Sequence, residues 1–151
     1  MEAERVPSRA EIEELVAFHT ARIAEVVAEG RTSVSGSTLL GRYGGHDVDL
    51  VVLVPDVARA AERLRGSYPP LYEEEWRDDW AAFRLEGPPQ VDIVVTKPGS
   101  DGDAHHRRAW ELILADARVR AEYESLKAAG MDSVRKRQFF DDVVAMLPSQ
   151  D

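Results

Sequence analysis

The segment Asp47–Val54, DVDLVVLV, constrains the fold of this chain more than any other. From Leu50 to Val54 it is apolar on both faces of an extended backbone, the pattern of an interior strand covered on both sides. Its opening breaks that pattern. Asp47 and Asp49 stand two apart, so in a strand both carboxylates project from the same face. Two neighbouring anions beside an apolar run repel and desolvate each other unless something positive lies between them.

The rest of the chain supplies the layers such a strand needs. Ser8 and Glu11 form a capping-box pattern, and Ile12, Leu15, Val16, His19, Ile23, Val26 and Val27 recur at helical spacing until Gly30, which predicts a helix over about 8–29. Thr32–Ser35 reads as a short strand that runs into a Gly36-Ser37 turn. Asp56 caps a helix through Leu64, and Pro69-Pro70 then forces extended or turn backbone. Extended segments are expected at Leu71–Glu75 and Trp80–Leu85, and Gly87-Pro88-Pro89 breaks the chain before a further strand at Gln90–Val95. From Asp103 onward the pattern is helical, with Trp110, Ile113, Leu114, Val119, Tyr123, Leu126, Phe139, Phe140, Val143, Val144 and Leu147 as its apolar positions. The order of helix, mixed sheet and helices describes an α+β or α/β domain with a C-terminal helical part.

Composition removes several classes of function. With 151 residues and 44% hydrophobic content the chain has the size of one domain with a core, and no internal repeat or long linker divides it. It contains no cysteine, which excludes disulfides, zinc–cysteine sites, cysteine-held iron–sulfur clusters and a thiol nucleophile, and suits a cytoplasmic location. Met1–Val16 carries charges every few residues and lacks the apolar stretch of a signal peptide or membrane span, so no membrane partner is expected. The formal charge of −9, from 28 acidic and 19 basic residues with no long basic run, makes a long nucleic acid a poor partner.

Asp92 opens another apolar strand, flanked by Val91 and Ile93-Val94-Val95, and a neighbouring position would set it beside Asp47 and Asp49. Three carboxylates at one sheet edge can hold two hard cations such as magnesium, or manganese in its place, the arrangement used for in-line phosphoryl or nucleotidyl transfer. Taken singly, each is as well explained as a strand-end aspartate facing water. Gly36-Ser37-Thr38 precedes them by a short spacer: glycine lets backbone N–H groups approach an anion and serine adds a hydroxyl, so the pair can cradle terminal phosphates. Alone, a Gly-Ser dipeptide is usually a turn.

The combination of Gly-Ser, a short spacer, Asp-x-Asp opening an apolar strand, and a later apolar-Asp-apolar strand resembles the nucleotidyltransferase superfamily related to DNA polymerase beta, in its minimal form. Within it the chain is most similar to the GrpB-like family of small bacterial proteins. That likeness spans Gly36-Ser37-Thr38, the acidic strand, and a C-terminal stretch with Tyr123, Leu126-Lys127, Lys136 and Phe139. The chain departs from that family in having Leu39-Leu40-Gly41-Arg42 in place of Pro-Gly-Leu, Gly45 in place of a basic residue, and Trp110-Glu111 in place of Arg-Asp. It also keeps Asp47, often lost there, and has Val91-Asp92-Ile93 where a histidine-rich strand is usual.

The resemblance implies a nucleotidyltransferase-like mixed sheet over about 31–97, flanked by helices, with C-terminal helices over about 103–148. It implies that Asp47 and Asp49 bind magnesium bridging the phosphates of a nucleoside triphosphate, and that Asp92 holds a second ion and helps deprotonate the attacking hydroxyl. Gly36 and Ser37 would hold the β/γ-phosphates. Arg42 in the spacer either reaches a phosphate through its planar fork or is a solvated loop residue. Lys127 and Lys136 either close over the triphosphate or lie on a polar helix face, the more ordinary place for a lysine. His46 is a loop histidine beside Asp47. His105-His106 point about 100° apart on a helix, chelate poorly, and read as a surface helix start. Trp76, Trp80, Phe83 and Trp110 read as core packing.

The leading expectation is a magnesium-dependent enzyme that moves a nucleoside monophosphate from a nucleoside triphosphate to a hydroxyl of a small molecule or protein. A protein of the same fold that binds nucleotide or a partner in an antitoxin-like way, without catalysis, is the alternative. A phosphohydrolase on the same carboxylates ranks last, because it gives Gly36-Ser37 no task.

Overall fold

A computed structural model describes residues 7–40, 47–87 and 89–148. Helix α1 (Arg9–Val26) starts where its capping box places it: the Glu11 amide donates to Ser8 Oγ at 3.1 Å, and the Ser8 amide donates to Glu11 Oε1 at 3.3 Å. It ends three residues earlier than its apolar spacing suggested, in a turn closed by the Gly30 amide on the Val27 carbonyl. Strand β1 (Arg31–Ser35) follows and runs into a 3-10 turn at Gly36–Leu40.

The acidic-then-apolar segment forms β2 (Asp47–Leu53), and Asp56 caps α2 (Val57–Leu64) through the Arg59 amide at 3.1 Å. Beyond it lie a two-residue strand β3 (Pro70–Leu71), a 3-10 turn at Glu73–Glu75, β4 (Trp80–Leu85) and β5 (Gln90–Thr96). The extended segment expected at Leu71–Glu75 is thus cut short. Tyr72 takes a left-handed φ of 52°, and the Trp76 indole N–H donates to the Leu71 carbonyl at 2.9 Å. Three successive glutamates have no apolar alternation to hold them on a sheet, so the chain turns there.

Among the described residues the sheet has five strands in the order β1-β2-β5-β4-β3. β2 and β5 run parallel, while the β1–β2, β5–β4 and β4–β3 pairs are antiparallel, so the fold is a mixed sheet with helices. One face forms the main core: Val48, Leu50 and Val52 of β2, with Val91, Ile93 and Val95 of β5, lie against α1 and α2. Each large side chain buried there contributes on the order of 1.5–3 kcal/mol. Trp76 meets Phe83 at this core, as expected of packing aromatics.

The C-terminal part comprises α3 (Asp101–Asp103), a π-helical stretch at Ala104–Arg108, α4 (Ala109–Ala115), α5 (Ala117–Ala128) and α6 (Ser133–Ala145). Its helices bury Trp110, Ile113, Tyr123, Phe139 and Phe140 in a second cluster, against which Leu39 of the 3-10 turn packs. Leu39 therefore ties the turn after β1 to the helices. Among the described residues no helix is long and apolar enough to cross a membrane.

Candidate functional site

The polar face of the sheet is organised by strand register. Ser35 on β1 stands opposite Asp49 on β2, Asp49 opposite Asp92 on β5, and Asp92 opposite Arg84 on β4. Cross-strand partners project to the same face, so these four side chains form one row across four strands. Asp47 lies two residues before Asp49 on that face, opposite Gln90. The parallel pairing of β2 with β5 thus sets Asp92 beside Asp49, which neither strand's sequence specifies by itself.

Asp49 is the strained member of the row. Burial first, and then the negative charges of Asp92 and Asp47, push its pKa up to about 6, although Lys136 and Arg84 oppose the shift. Gly36 presses on it from the neighbouring turn: with φ at +65°, its backbone lies so close that a Cβ would fall 2.3 Å from Asp49 Oδ2. Thr38 brackets the strand start, its buried hydroxyl donating to the Asp47 carbonyl at 3.3 Å and accepting from the Asp49 amide at 3.4 Å. Gly36 and Thr38 thus abut the acidic strand, while the Ser37 side chain lies outside what the structure describes.

Asp92 is held differently. Arg84 grips it bidentately, Nε donating to Oδ1 at 2.7 Å and a terminal nitrogen to Oδ2 at 3.2 Å, and Gln90 Nε2 donates to both oxygens at 3.3 and 3.2 Å. Among the described residues no three or more His, Asp and Glu side chains are grouped to hold a metal ion. The three aspartates share a face, but Asp92 is turned to a guanidinium. Asp47 and Asp49 share one face of β2, and two carboxylates are a donor set that magnesium commonly takes, the rest of its shell being water and phosphate oxygens.

The helical part meets this face at the π-helical stretch. Ser35 Oγ donates to the carbonyl of His106. Thr96, on the Asp92 face of β5, meets Ser100 Oγ at 2.8 Å. Lys136 on α6 is exposed, and its charge is felt by both Asp49 and His106. Lys127 lies elsewhere, with Nζ 3.5 Å from the Tyr123 hydroxyl and 5.7 Å from the centre of that ring. Arg42 and His46 fall outside the described residues.

The histidine pair is not the surface helix start that its sequence suggested. His105 Nε2 donates to Asp141 on α6 at 3.0 Å and its Nδ1 to the Asp101 carbonyl at 2.9 Å. Burial pulls its pKa down, but Asp141 and Asp101 outweigh burial and raise it. His106 is half-buried, and burial, then His105 and Lys136, lower its pKa to about 4, which keeps the ring neutral near pH 7. Adjacent on the π-helical stretch, the two rings thus face different settings.

Sequence reasoning overlooked Arg84, Gln90 and Ser35. A usable signal for the first exists: the Gly87-Pro88-Pro89 break, read as a hairpin, places Arg84 and Asp92 at equal distances from its centre and therefore opposite one another. A groove of about 810 Å³ lies between α1 and the end of β1, lined by Ile12, Val16, Val34 and Leu39 among others and bordered by Thr38.

No protein-family model matches this chain, and no curated protein matches it. A solved structure of a cytoplasmic RNA terminal U-transferase is similar to it with a TM-score of 0.40 and 18% identity, over 58% of this chain and 29% of that one. The chain thus spans under a third of that protein's length.

Proposed function

We propose that this chain is a magnesium-dependent nucleotidyltransferase that moves a nucleoside monophosphate from a nucleoside triphosphate to a hydroxyl of a small molecule or protein. The observation that carries this reading is the crowding of Asp49, which is half-buried beside Asp92 and Asp47 against the backbone of Gly36, with its pKa pushed up to about 6. Sites that bind cations and phosphates impose such settings on their carboxylates. The minimal nucleotidyltransferase pattern, and the GrpB-like features at Tyr123, Leu126-Lys127, Lys136 and Phe139, agree with it.

In this reading Asp47 and Asp49 hold the metal, which when bound neutralises phosphate charge as pyrophosphate leaves. Gly36 and Ser37 present backbone to the phosphates, and the absence of a Cβ at Gly36 lets that turn sit directly against Asp49. Lys136 supplies a positive charge from α6, and Arg42 a further one from the spacer. The net charge of −9 favours a small-molecule or protein acceptor over a long nucleic acid.

The test is calorimetric titration of wild type and Asp49→Asn with each of the four ribonucleoside triphosphates, with and without magnesium or manganese. One nucleotide that binds only with metal, and not to the variant, is the expected result, and α-labelled nucleotide then finds the acceptor. Absence of metal-dependent binding in wild type overturns the transferase reading in favour of a partner-binding protein of the same fold.

A further inference from the structure

The three aspartates of this face differ in what surrounds them. Asp47 and Asp49 follow each other along one strand, the second crowded by like charge. Asp92, the carboxylate to which the superfamily resemblance assigns a second ion, has both oxygens taken by the Arg84 fork and by Gln90. The arginine reaches it across the antiparallel β4–β5 pair, on the side of Asp92 away from Asp49. It is a partly covered contact, with 29% of the Arg84 side chain and 20% of the Asp92 side chain exposed. A bidentate guanidinium–carboxylate pair is geometrically well defined and uses the lone pairs that a cation would need.

From this arrangement we infer that Arg84 takes the place of a second cation, so that the centre binds one divalent ion, on Asp47 and Asp49, with the Arg84–Asp92 pair as a fixed charge beside it. The inference rests on the transferase reading for the first ion and concerns only the second. Arg84 acts as a positioning residue: it holds Asp92 in one orientation and blocks its use as a metal ligand. Gln90, two residues before Asp92 on the same face of β5, supports the same orientation. A permanent side-chain cation would leave the centre dependent on a single exchangeable ion.

The experiment is a titration of the full chain with manganese alone, free ion being followed by electron paramagnetic resonance at pH 7.5, for wild type, Asp49→Asn, Asp92→Asn, Arg84→Lys and Arg84→Met. The expected result is one ion per chain in wild type, lost in Asp49→Asn. In Asp92→Asn it is retained, with less than the roughly 10- to 100-fold weakening that follows damage to a metal's immediate support. Arg84→Met is expected to bind two ions per chain and Arg84→Lys one, a change of stoichiometry that a merely structural arginine would not produce. Two ions in wild type, or one in a folded Arg84→Met, overturn the inference and leave the transferase reading standing. No ion in wild type also overturns the inference, while the nucleotide titration alone decides the transferase reading. If Arg84→Met does not fold, the wild-type count and Asp92→Asn decide, since a shared second site would make Asp92→Asn lose an ion.

Discussion

Gly36 and Asp49 are in direct contact across the end of the sheet: the glycine backbone, at a φ of +65°, lies where a side-chain carbon would fall 2.3 Å from a carboxylate oxygen. Gly36→Ala meets two penalties, a left-handed backbone that costs an L-residue about 1–2 kcal/mol and a collision with Asp49. We expect it to lower unfolding free energy by about that amount or more in urea titrations, and to abolish metal binding even where the variant stays folded. Retention of full metal affinity would show that the contact has no part in the site.

Asp49 sets a pH dependence whose sign is fixed by its raised pKa. In the metal-free protein the folded state holds this proton more tightly than the unfolded chain does, so the associated stability is present at low pH and is lost as pH rises from about 4 to about 6. Asp49→Asn should therefore stabilise the metal-free protein at pH 7.5, by on the order of 1–3 kcal/mol, while removing metal binding. Manganese affinity in wild type should fall as pH drops below about 6, because the ligand must first lose its proton. Thermal and urea unfolding of the two proteins, with and without manganese, measure both effects.

His106 works in the opposite direction. Its pKa is lowered to about 4, so the unfolded chain takes up a proton near the ordinary histidine value while the folded protein does not. The stability it contributes is present above about pH 6.5 and is lost as pH falls toward 4. Unfolding free energies between pH 4 and 7.5 should show a steeper acid-side loss in wild type than in His106→Gln, and equal slopes would rule out this role.

Lys136 and Lys127 separate cleanly. Lys136→Ala removes a charge that holds the Asp49 pKa down, so carbon-detected NMR titration of the Asp49 carboxyl in the metal-free protein should move to higher pH. Lys127→Ala should leave that titration unchanged, since Lys127 lies against Tyr123. An equal shift in both variants would show that Lys136 has no particular influence on Asp49.

Asp103 is wholly buried, its carboxylate accepting from Arg107 Nε at 2.5 Å, from an Arg107 terminal nitrogen at 2.9 Å and from the Gly99 amide at 2.8 Å. Removing the aspartate leaves the Gly99 amide unmatched and takes one of two carboxylate partners from the half-buried Arg107, which keeps Glu111 at 2.8 Å, so Asp103→Ala should destabilise the protein by about 1–3 kcal/mol. The Asp103→Ala/Arg107→Met double variant should cost less than the sum of the single changes. Additive costs would mean the pair is not coupled.

Local chemistry in the chain was sufficient for much of this architecture. Ser8 with Glu11 marks the start of α1, Asp56 caps α2, and the doubly apolar run after Asp49 identifies an interior strand, because capping and side-chain alternation act over a few residues. Asp47 and Asp49 share a face for the same reason. The carboxylates and the Gly-Ser-Thr turn were visible as a pattern, and His105-His106 were misread because helical spacing does not reveal a π-helical stretch or what covers it.

Only tertiary structure decided which groups meet. Asp92 stands beside Asp49 because β2 and β5 pair in parallel, a contact between segments some forty residues apart that no local preference encodes. Arg84 is turned to Asp92 by the hairpin register, and the charge of Lys136 is felt at Asp49 because the aromatic cluster around Trp110 and Phe139 sets the C-terminal helices against the turn that carries Leu39. A carboxylate's neighbours determine its proton affinity and its availability to a cation. The sequence therefore identified the three aspartates, and long-range packing made one of them crowded and another paired.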